Sequence, residues 1–209
     1  MLRKIFLLAV LLSPILAFAQ RAFIEVTDIE GETPWAGHTL NTATPVWRIG
    51  LPIFLPCYFA TGKGFVELKL STNSYLYLDE STRIRIGADF INDLVSGLNV
   101  EILKGRLIFN WREEKNKQIV ITTRLKSDLI AIQPQSSSGI CRLVKDSDTI
   151  QILLKEGTLK VESRCQAEFL LTTGQYLIYY SSSQFEKQEM GVYPSDSLEQ
   201  YHNKRLKTY

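Results

Sequence analysis

The chain has 209 residues, of which 24 are Lys or Arg, 22 are Asp or Glu, and 45% are hydrophobic. This length is enough for one large or two small hydrophobic cores. The near balance of charge gives no electrostatic basis for binding nucleic acid or an anionic membrane surface.

Residues 1–19 have the pattern of a secretory signal peptide. Arg3 and Lys4 precede an apolar stretch, and Ala17-Phe18-Ala19 is the small-x-small sequence that signal peptidase accepts. We predict cleavage before Gln20 and export to the periplasm or the cell surface. The alternative is an uncleaved N-terminal anchor. No later stretch approaches the roughly 20 apolar residues of a membrane span, so we expect no integral membrane segment after cleavage.

Segment 20–58 is predicted to be a β lead-in to the main domain. Residues 22–29 favour a strand. Beyond them, Trp35, Trp47 and three prolines (Pro45, Pro52 and Pro56) indicate irregular extended structure, because proline suits edge strands and turns better than helices.

Segment 59–183 is dominated by short strand patterns. Residues 65–70, 75–78 and 82–86 alternate polar and apolar side chains, which places one set on a core face and the other toward water. We predict an all-β fold of stacked short-strand sheets, either a two-layer sandwich or a short β-helix-like domain. Residues 89–95 place four apolar side chains on one helical face, which indicates one or two helical turns.

Two stretches resemble each other at an offset of 50 residues. Residues 100–109 and 150–161 both have a strand, glycine, strand pattern around Gly105 and Gly157, and Ile121-Thr122-Thr123 matches Leu171-Thr172-Thr173. This spacing favours one β unit used twice and stacked on itself. The alternative is a chance likeness between ordinary strand pairs.

Three cysteines, Cys57, Cys141 and Cys165, lie after the predicted cleavage point. Export permits disulfides, and an odd number leaves at least one thiol unpaired. We predict a bridge between Cys141 and Cys165, which lie on two predicted strands. The alternative is three buried free cysteines that act as small apolar residues.

Segment 184–209 is predicted to be a tail with a helix. Ser195 or Asp196 suits the N-cap position after Pro194. Leu198, Tyr201 and Leu206 form a modest apolar stripe. Such a helix either docks on the sheets or binds a partner, and docking is the favoured interpretation.

No catalytic or metal-binding pattern is present. The two histidines, His38 and His202, are far from the cysteines, so we expect no metal, no cofactor and no enzyme activity. A carboxylate-dependent hydrolase remains an alternative, because folding can bring separate acidic residues together. Tyr75 and Tyr77 lie on one face of a predicted strand, where they would form either an aromatic binding surface, for example for glycans, or sheet packing.

The order of motifs between about Phe59 and Ile178 resembles the FecR domain family. The family's V-x-L-x-L strand, its strand-Gly-strand unit, its E-G-x-V-x-V hairpin and its L-x-x-G-Q turn correspond in order to Val66–Leu70, Leu103–Phe109, Glu156–Val161 and Leu171–Gln175. The family's G-T-x-F-x-V strand is less well matched, since Ser138–Leu143 lacks the Thr and the Phe.

The resemblance implies a β domain in the periplasm or on the outer surface that has no catalytic residues. Membrane-anchored members of the family relay the state of iron-siderophore receptors to a sigma factor. This sequence has no match to their cytoplasmic region, so we do not expect direct sigma-factor regulation. We expect a non-enzymatic module that recognises an envelope protein, with envelope-glycan binding as the alternative function.

Overall fold

The computed structural model describes residues 23–91, 94–112, 118–164, 166–182 and 184–207, so the predicted signal peptide lies outside it. The first strands are β1 (Phe23–Gly31), β2 (Trp35–Gly37), β3 (Thr44–Pro45), β4 (Pro52–Phe54), β5 (Cys57–Ala60), β6 (Gly64–Lys69), β7 (Tyr75–Leu78) and β8 (Arg83–Ile91). They are followed by β9 (Leu94–Arg112), β10 (Gln118–Leu125), β11 (Asp128–Pro134), β12 (Ser138–Lys145), β13 (Thr149–Glu156), β14 (Thr158–Ser163), β15 (Gln166–Thr172), β16 (Gln175–Tyr180) and β17 (Phe185–Glu189). A short 3-10 helix (Leu40–Thr42) and a C-terminal helix, α1 (Ser197–Leu206), complete the fold and confirm the predicted all-β class with a C-terminal helix.

The strands form two layers that share one strand. Sheet A has the order β4-β1-β6-β7-β9-β12-β13-β16-β17, and sheet B has the order β3-β2-β5-β8-β9-β10-β11-β14-β15. The first half of β9 lies in sheet B and its second half lies in sheet A. The parallel pair of β9 and β10 is the exception among otherwise antiparallel pairs of described strands. The lead-in strands β1 to β5 contribute to both layers.

The core lies between the two layers. Leu76 and Leu78 of β7 in sheet A, and Ile84 and Ile86 of β8 in sheet B, are all fully buried in one continuous apolar cluster. These positions are two residues apart, as the alternating pattern requires, because successive side chains of a strand point to opposite faces. The predicted strands at 65–70, 75–78 and 82–86 are thereby confirmed.

Gly105 is the point at which β9 passes from one layer to the other. Its φ of 102° lies in a region that residues with a side chain rarely adopt. A Cβ atom at this position would lie 2.5 Å from Thr82 Oγ1 and 2.6 Å from Thr82 Cα. The Thr82 hydroxyl donates a hydrogen bond to the Arg106 carbonyl (3.0 Å) and accepts one from the Arg106 N–H (3.1 Å). The Thr82 hydroxyl thus bonds to both backbone groups of Arg106 beside the bend, and the Arg106 carbonyl also accepts a hydrogen bond from the Asp79 N–H (3.0 Å).

The helical turns predicted for residues 89–95 are wrong. Residues 89–91 end β8 and residues 94–95 begin β9, while residues 92–93 lie outside the described residues. The two strands pair as far as Ile91 and Leu94. Four residues on one helical face are a short pattern, and the long β8–β9 pairing outweighs it.

The two similar stretches share their local form and differ in their placement. Gly157 has a φ of 97°, close to that of Gly105, and it also separates two strand segments that lie in different layers. Through Gly105 the chain passes from sheet B to sheet A, whereas through Gly157 it passes from β13 in sheet A to β14 in sheet B. The repeated sequence therefore marks repeated layer crossings, made in opposite directions.

We expect Gly105→Ala to lower the free energy of unfolding by about 1–3 kcal/mol, because alanine must adopt a strained conformation against Thr82. Gly87→Ala is the matched control, since a Cβ atom there meets no atom within 4 Å. This control should be neutral or stabilising by up to about 1 kcal/mol. Urea unfolding of both variants measures the difference, and equal effects would contradict the role of Gly105 at the bend.

Candidate binding surfaces

The apolar rim is the end of the sandwich where β3 and β4 are the outermost strands of their sheets. Ten large apolar side chains are exposed among the described residues, and seven of them belong to the segment 23–54. These seven are Phe23, Trp35, Leu40, Trp47, Ile49, Leu51 and Phe54. Such a concentration of exposed apolar side chains is typical of an interaction surface.

The local sequence explains why this end of the sandwich stays open. Strands β3 and β4 have two and three residues, and each contains a proline, Pro45 or Pro52, that cannot donate a backbone hydrogen bond. The loop between them leaves a groove of about 310 Å³, lined among others by Val46, Trp47 and Leu51. Short strands with prolines disfavour the addition of a further strand. The rim is therefore suited to side-chain contacts.

The groove contains little chemistry besides apolar contact. Its described lining has no carboxylate, and its histidine, His38, is exposed and has Nδ1 3.0 Å from the Pro56 carbonyl oxygen, which accepts a hydrogen bond. Cys57 also lines the groove, but burial raises the pKa of its thiol to about 12. A protonated thiol is a poor nucleophile, so the groove is equipped for binding.

The opposite rim, formed by β15 and β17, has a different character. Leu170 is the large apolar side chain exposed there, and Lys187 Nζ donates a hydrogen bond to its carbonyl oxygen (2.7 Å). Strand β17 has the sequence FEKQE. A charged strand and a lysine on the free edge are common protections against unwanted pairing.

The second surface, the helix-binding face, is the outer face of sheet A, which α1 covers. Leu198 and Tyr201 of α1 pack with Tyr77, Ile108 and Ile140 of the sheet in a small apolar cluster separate from the core. Asp196 is the N-cap, and its side chain accepts a hydrogen bond from the Glu199 N–H (3.2 Å). Docking of the tail helix on the sheets is thus confirmed, although Leu206 of the predicted apolar stripe is exposed.

The helix-binding face has a basic end and an acidic end. At the basic end, Arg142 donates two hydrogen bonds to the Asp196 carboxylate, one of them at 2.8 Å. Lys155 Nζ lies 2.6 Å from Glu199 Oε1.

At the acidic end, Arg205 donates two hydrogen bonds of 3.1 Å to the fully buried Glu67, and Tyr201 donates one of 2.9 Å to Asp28. The order of charges along α1 is therefore the complement of the order of charges along the sheet. This match fixes the direction in which the helix lies.

The polar contacts of α1 favour the ionised form of its two N-terminal carboxylates, Asp196 and Glu199. The hydrogen bonds from Arg142 hold the pKa of Asp196 below its usual range. Burial opposes ionisation of Glu199, but the neighbouring His202 and Lys155 keep its pKa below the ordinary value. His202 is fully buried, and its ring lies edge-on to Tyr77 with centroids 4.6 Å apart.

Four buried polar atoms at this interface have no hydrogen-bond partner among the described residues. They are Tyr193 OH, Glu199 Oε2, and Nδ1 and Nε2 of His202. His202 Nδ1 lies 3.8 Å from Glu199 Oε1, which is too far for a hydrogen bond.

The tyrosines predicted as a binding surface do not form an exposed row. Tyr77 is 1% exposed beneath α1, and Tyr75 is half-buried and packs against the same apolar cluster. The strand alternation placed them correctly on the face opposite Leu76 and Leu78. A helix more than 100 residues later in the chain then covers that face.

Cys141 is fully buried in β12, and burial raises the pKa of its thiol, which is free in the structure. Cys165 lies outside the described residues, so its predicted bridge to Cys141 stays a prediction. Cys57 is also a buried free thiol, as the alternative interpretation expects for that residue.

Two groups of acidic residues on the surface are engaged by cations. Lys160 Nζ lies 2.5 Å from Glu162 and 3.0 Å from Glu168, and Glu101 lies within 4.0 Å of both Arg85 and Arg124. Of the acidic pairs in the sequence, Asp146 and Asp148 are exposed in a turn, and residues 113–114 lie outside the described residues. No group of three metal-ligating side chains is found among the residues that the structure describes.

The apolar rim was not predicted as a site from the sequence. Trp35 and Trp47 indicated irregular structure there, and an irregular segment has no periodicity from which to tell exposed from buried side chains. The available signal was two tryptophans among prolines. It indicates an aromatic-rich loop region without telling whether the rings face the core or the solvent.

No protein-family model matches the sequence, and no curated protein matches it. Two crystal structures of a proposed anti-sigma factor from Parabacteroides distasonis, at 2.50 and 1.65 Å resolution, are similar in fold. Their TM-scores are 0.52 and 0.51, their sequence identities are 14% and 13%, and each match covers 64% of this chain and 59% of the other. The match thus spans less than two thirds of those proteins, and at such identity it shows a shared fold. Among the described residues, no helix has the length and apolar character needed to cross a membrane.

We expect Trp47→Ala to change the free energy of unfolding by less than about 0.5 kcal/mol, because the ring is 79% exposed. Trp111→Ala is the contrasting variant, since Trp111 is 3% exposed, stacks on Phe109 and donates a hydrogen bond to the Ser136 carbonyl. Its loss should lower the free energy of unfolding by about 3–5 kcal/mol. Chemical denaturation compares the two, and a large effect at Trp47 would assign that ring to the fold and remove it from the binding surface.

A second prediction concerns pH and Asp196. Its native pKa lies below the unfolded value of about 3.9. The stability it contributes is therefore fully present above about pH 5 and is lost as the pH falls through the native pKa. Asp196→Asn keeps a good N-cap, so the loss of unfolding free energy between pH 7 and pH 3 should become smaller in this variant. An unchanged loss in the Asp196→Asn variant would contradict the prediction.

Proposed function

We propose that this protein is an exported, non-enzymatic, FecR-like module that binds a protein partner in the bacterial cell envelope through its apolar rim. The FecR-like assignment is supported by the order of motifs in the sequence and by the fold shared with a proposed anti-sigma factor. Export is supported by the signal-peptide pattern of residues 1–19. The partner, by analogy with that neighbour, is a component of a regulatory system.

The observation that carries the binding function is the concentration of exposed apolar side chains at one end of the molecule. Trp47 is 79% exposed and Phe23 is 55% exposed, and both belong to the segment that supplies β1 to β4. Tryptophan and other aromatic residues are enriched at the energetic centres of protein interfaces. The groove beside Trp47 provides a concave seat for an apolar side chain of the partner.

The lining of the groove supports binding over catalysis. It offers an exposed histidine and a protonated thiol, and no carboxylate belongs to its described lining. A general acid and base pair or an activated nucleophile would need a second polar group within hydrogen-bond distance. Glu162 and Glu168 are paired with Lys160, and Glu101 lies within 4.0 Å of Arg85 and Arg124, so these three carboxylates are suited to a structural role.

Site-specific crosslinking in the native cells tests this function. A photo-crosslinking amino acid replaces Trp47 in the full chain, and the matched control places it at Leu170, which is 53% exposed on the opposite rim. We expect one defined protein adduct from position 47 and none from position 170. Adding Phe54→Ser to the position-47 chain should reduce the yield of that adduct by about tenfold, which corresponds to roughly 1.4 kcal/mol of binding free energy.

Adducts of equal yield from both positions would show that the rim has no preference as a contact surface. If position 47 instead became linked to wall or surface glycan, with no protein adduct, the protein-binding function would be overturned. Envelope-glycan binding through Trp35 and Trp47 would then replace it.

A further inference from the structure

Four of the seven exposed apolar side chains of the rim lie outside the described lining of the groove. These four, which we call the rim crest, are Phe23, Trp35, Leu40 and Ile49. Each of them is between 46% and 55% exposed. The groove can therefore hold a partner's side chain while the crest contacts a second apolar surface. Exposed apolar patches of this kind mark contacts with proteins or with membranes.

The charges around the crest favour a lipid surface. The sequence contains no Asp or Glu between Glu32 and Glu67, and this stretch supplies every exposed apolar side chain of the rim except Phe23. The carboxylate nearest to Phe23 along β1, Glu25, is half-buried. Ionised carboxylates oppose insertion into lipid, whereas tryptophan is enriched at the membrane–water interface. The exposed Arg48 can keep its charge in the headgroup layer while its apolar neighbours enter the lipid.

The rim is also the end at which the chain enters the sandwich. Phe23 begins β1 and pairs with Phe54 of the edge strand β4. The predicted signal segment ends at Ala19, and four residues of extended chain span at most about 14 Å. While that segment is in a membrane, before cleavage or as the alternative uncleaved anchor, the rim is held beside the bilayer. The apolar end of the sandwich is thus the end that the membrane-directed segment joins.

We propose that the rim crest inserts into the interfacial layer of a lipid bilayer and holds the protein on the membrane surface, where the groove meets its partner. Burial of apolar side chains drives this contact. Charge attraction contributes little, because the chain has nearly equal numbers of basic and acidic residues. The inference goes beyond the proposed function and rests on it only in assigning the groove to a protein partner.

Vesicle flotation of the exported, purified protein tests the lipid contact. We expect the protein to float with vesicles of phosphatidylcholine and with vesicles that also contain phosphatidylglycerol, and high salt should leave both results unchanged. Phe23→Ser combined with Ile49→Ser should lower the partition coefficient by about tenfold or more, because two inserted side chains are lost. Leu170→Ser combined with Val192→Ser is the matched control, since both residues are exposed outside the rim, and it should bind as the unmodified protein does.

Three results of flotation would overturn the proposal. The first is a folded protein, with its native circular dichroism spectrum, that stays with neither kind of vesicle. The second is equal binding by the crest variant and the control variant, which would place the contact elsewhere. The third is binding to the anionic vesicles alone that is lost in high salt, because that behaviour indicates charge attraction.

Tryptophan fluorescence locates the contact on the rim. In a Trp47→Phe variant the remaining tryptophans are Trp35 on the crest and Trp111, which is 3% exposed. Vesicles of brominated phosphatidylcholine should quench the emission of Trp35, and further replacement of Trp35 by Phe should abolish the quenching. A vesicle-bound variant in which Trp35 is not quenched would contradict insertion of the crest.

Crosslinking in cells separates lipid from protein at the crest. A photo-crosslinking amino acid at position 40, which is exposed and outside the groove, should give a phospholipid adduct. A protein adduct without any lipid adduct would assign the crest to a protein interface and overturn the proposal. Position 47 reports on the partner in the groove. Loss of its protein adduct with vesicle binding retained would therefore reject the proposed function alone, and loss of vesicle binding with that adduct retained would reject the lipid contact alone.

Discussion

The architecture depends on one strand that belongs to two sheets. Strand β9 contributes its first half to sheet B and its second half to sheet A, and four strands flank it on each side in both layers. This is possible because Gly105 adopts a positive φ at the crossing and the Thr82 hydroxyl bonds to both backbone groups of the next residue, Arg106. With the two layers joined in this way, their inner faces meet in one core and their outer faces remain available for other uses.

The outer face of sheet A and the two rims differ in the side chains that they present. The outer face of sheet A is covered by α1 and carries an ordered set of charges, whereas the rim at β3 and β4 exposes aromatic and aliphatic side chains. The opposite rim carries a charged strand and Lys187 at its edge. A protein that protects one end of its sandwich and leaves the other end apolar is suited to contact a partner at the apolar end.

The fold shared with a proposed anti-sigma factor does not by itself assign a function, because one β architecture supports many binding surfaces. At 14% identity the match shows a shared fold alone. The groove beside Trp47 and the charge order beneath α1 are properties of this chain. They provide two separate surfaces, one apolar and open, the other polar and occupied by the chain's own helix.

The alternation of polar and apolar residues determined the strands, the face to which each side chain points and the all-β class. It placed Tyr77 opposite Leu78, and the N-cap preference of Ser195 or Asp196 located the start of α1 to within one residue. The repeated glycine pattern identified Gly105 and Gly157 as special backbone positions without revealing that the chain crosses between layers in opposite directions there.

Whether a face is exposed depended on the tertiary structure. Tyr77 is buried because α1, encoded far along the chain, covers it. Trp47 is exposed because the short strands around it, interrupted by prolines, leave the end of the sandwich open. Local pattern is set by neighbours in sequence, and it therefore determines the direction of a side chain. Burial is set by segments that are distant in sequence, and only the folded chain brings them together.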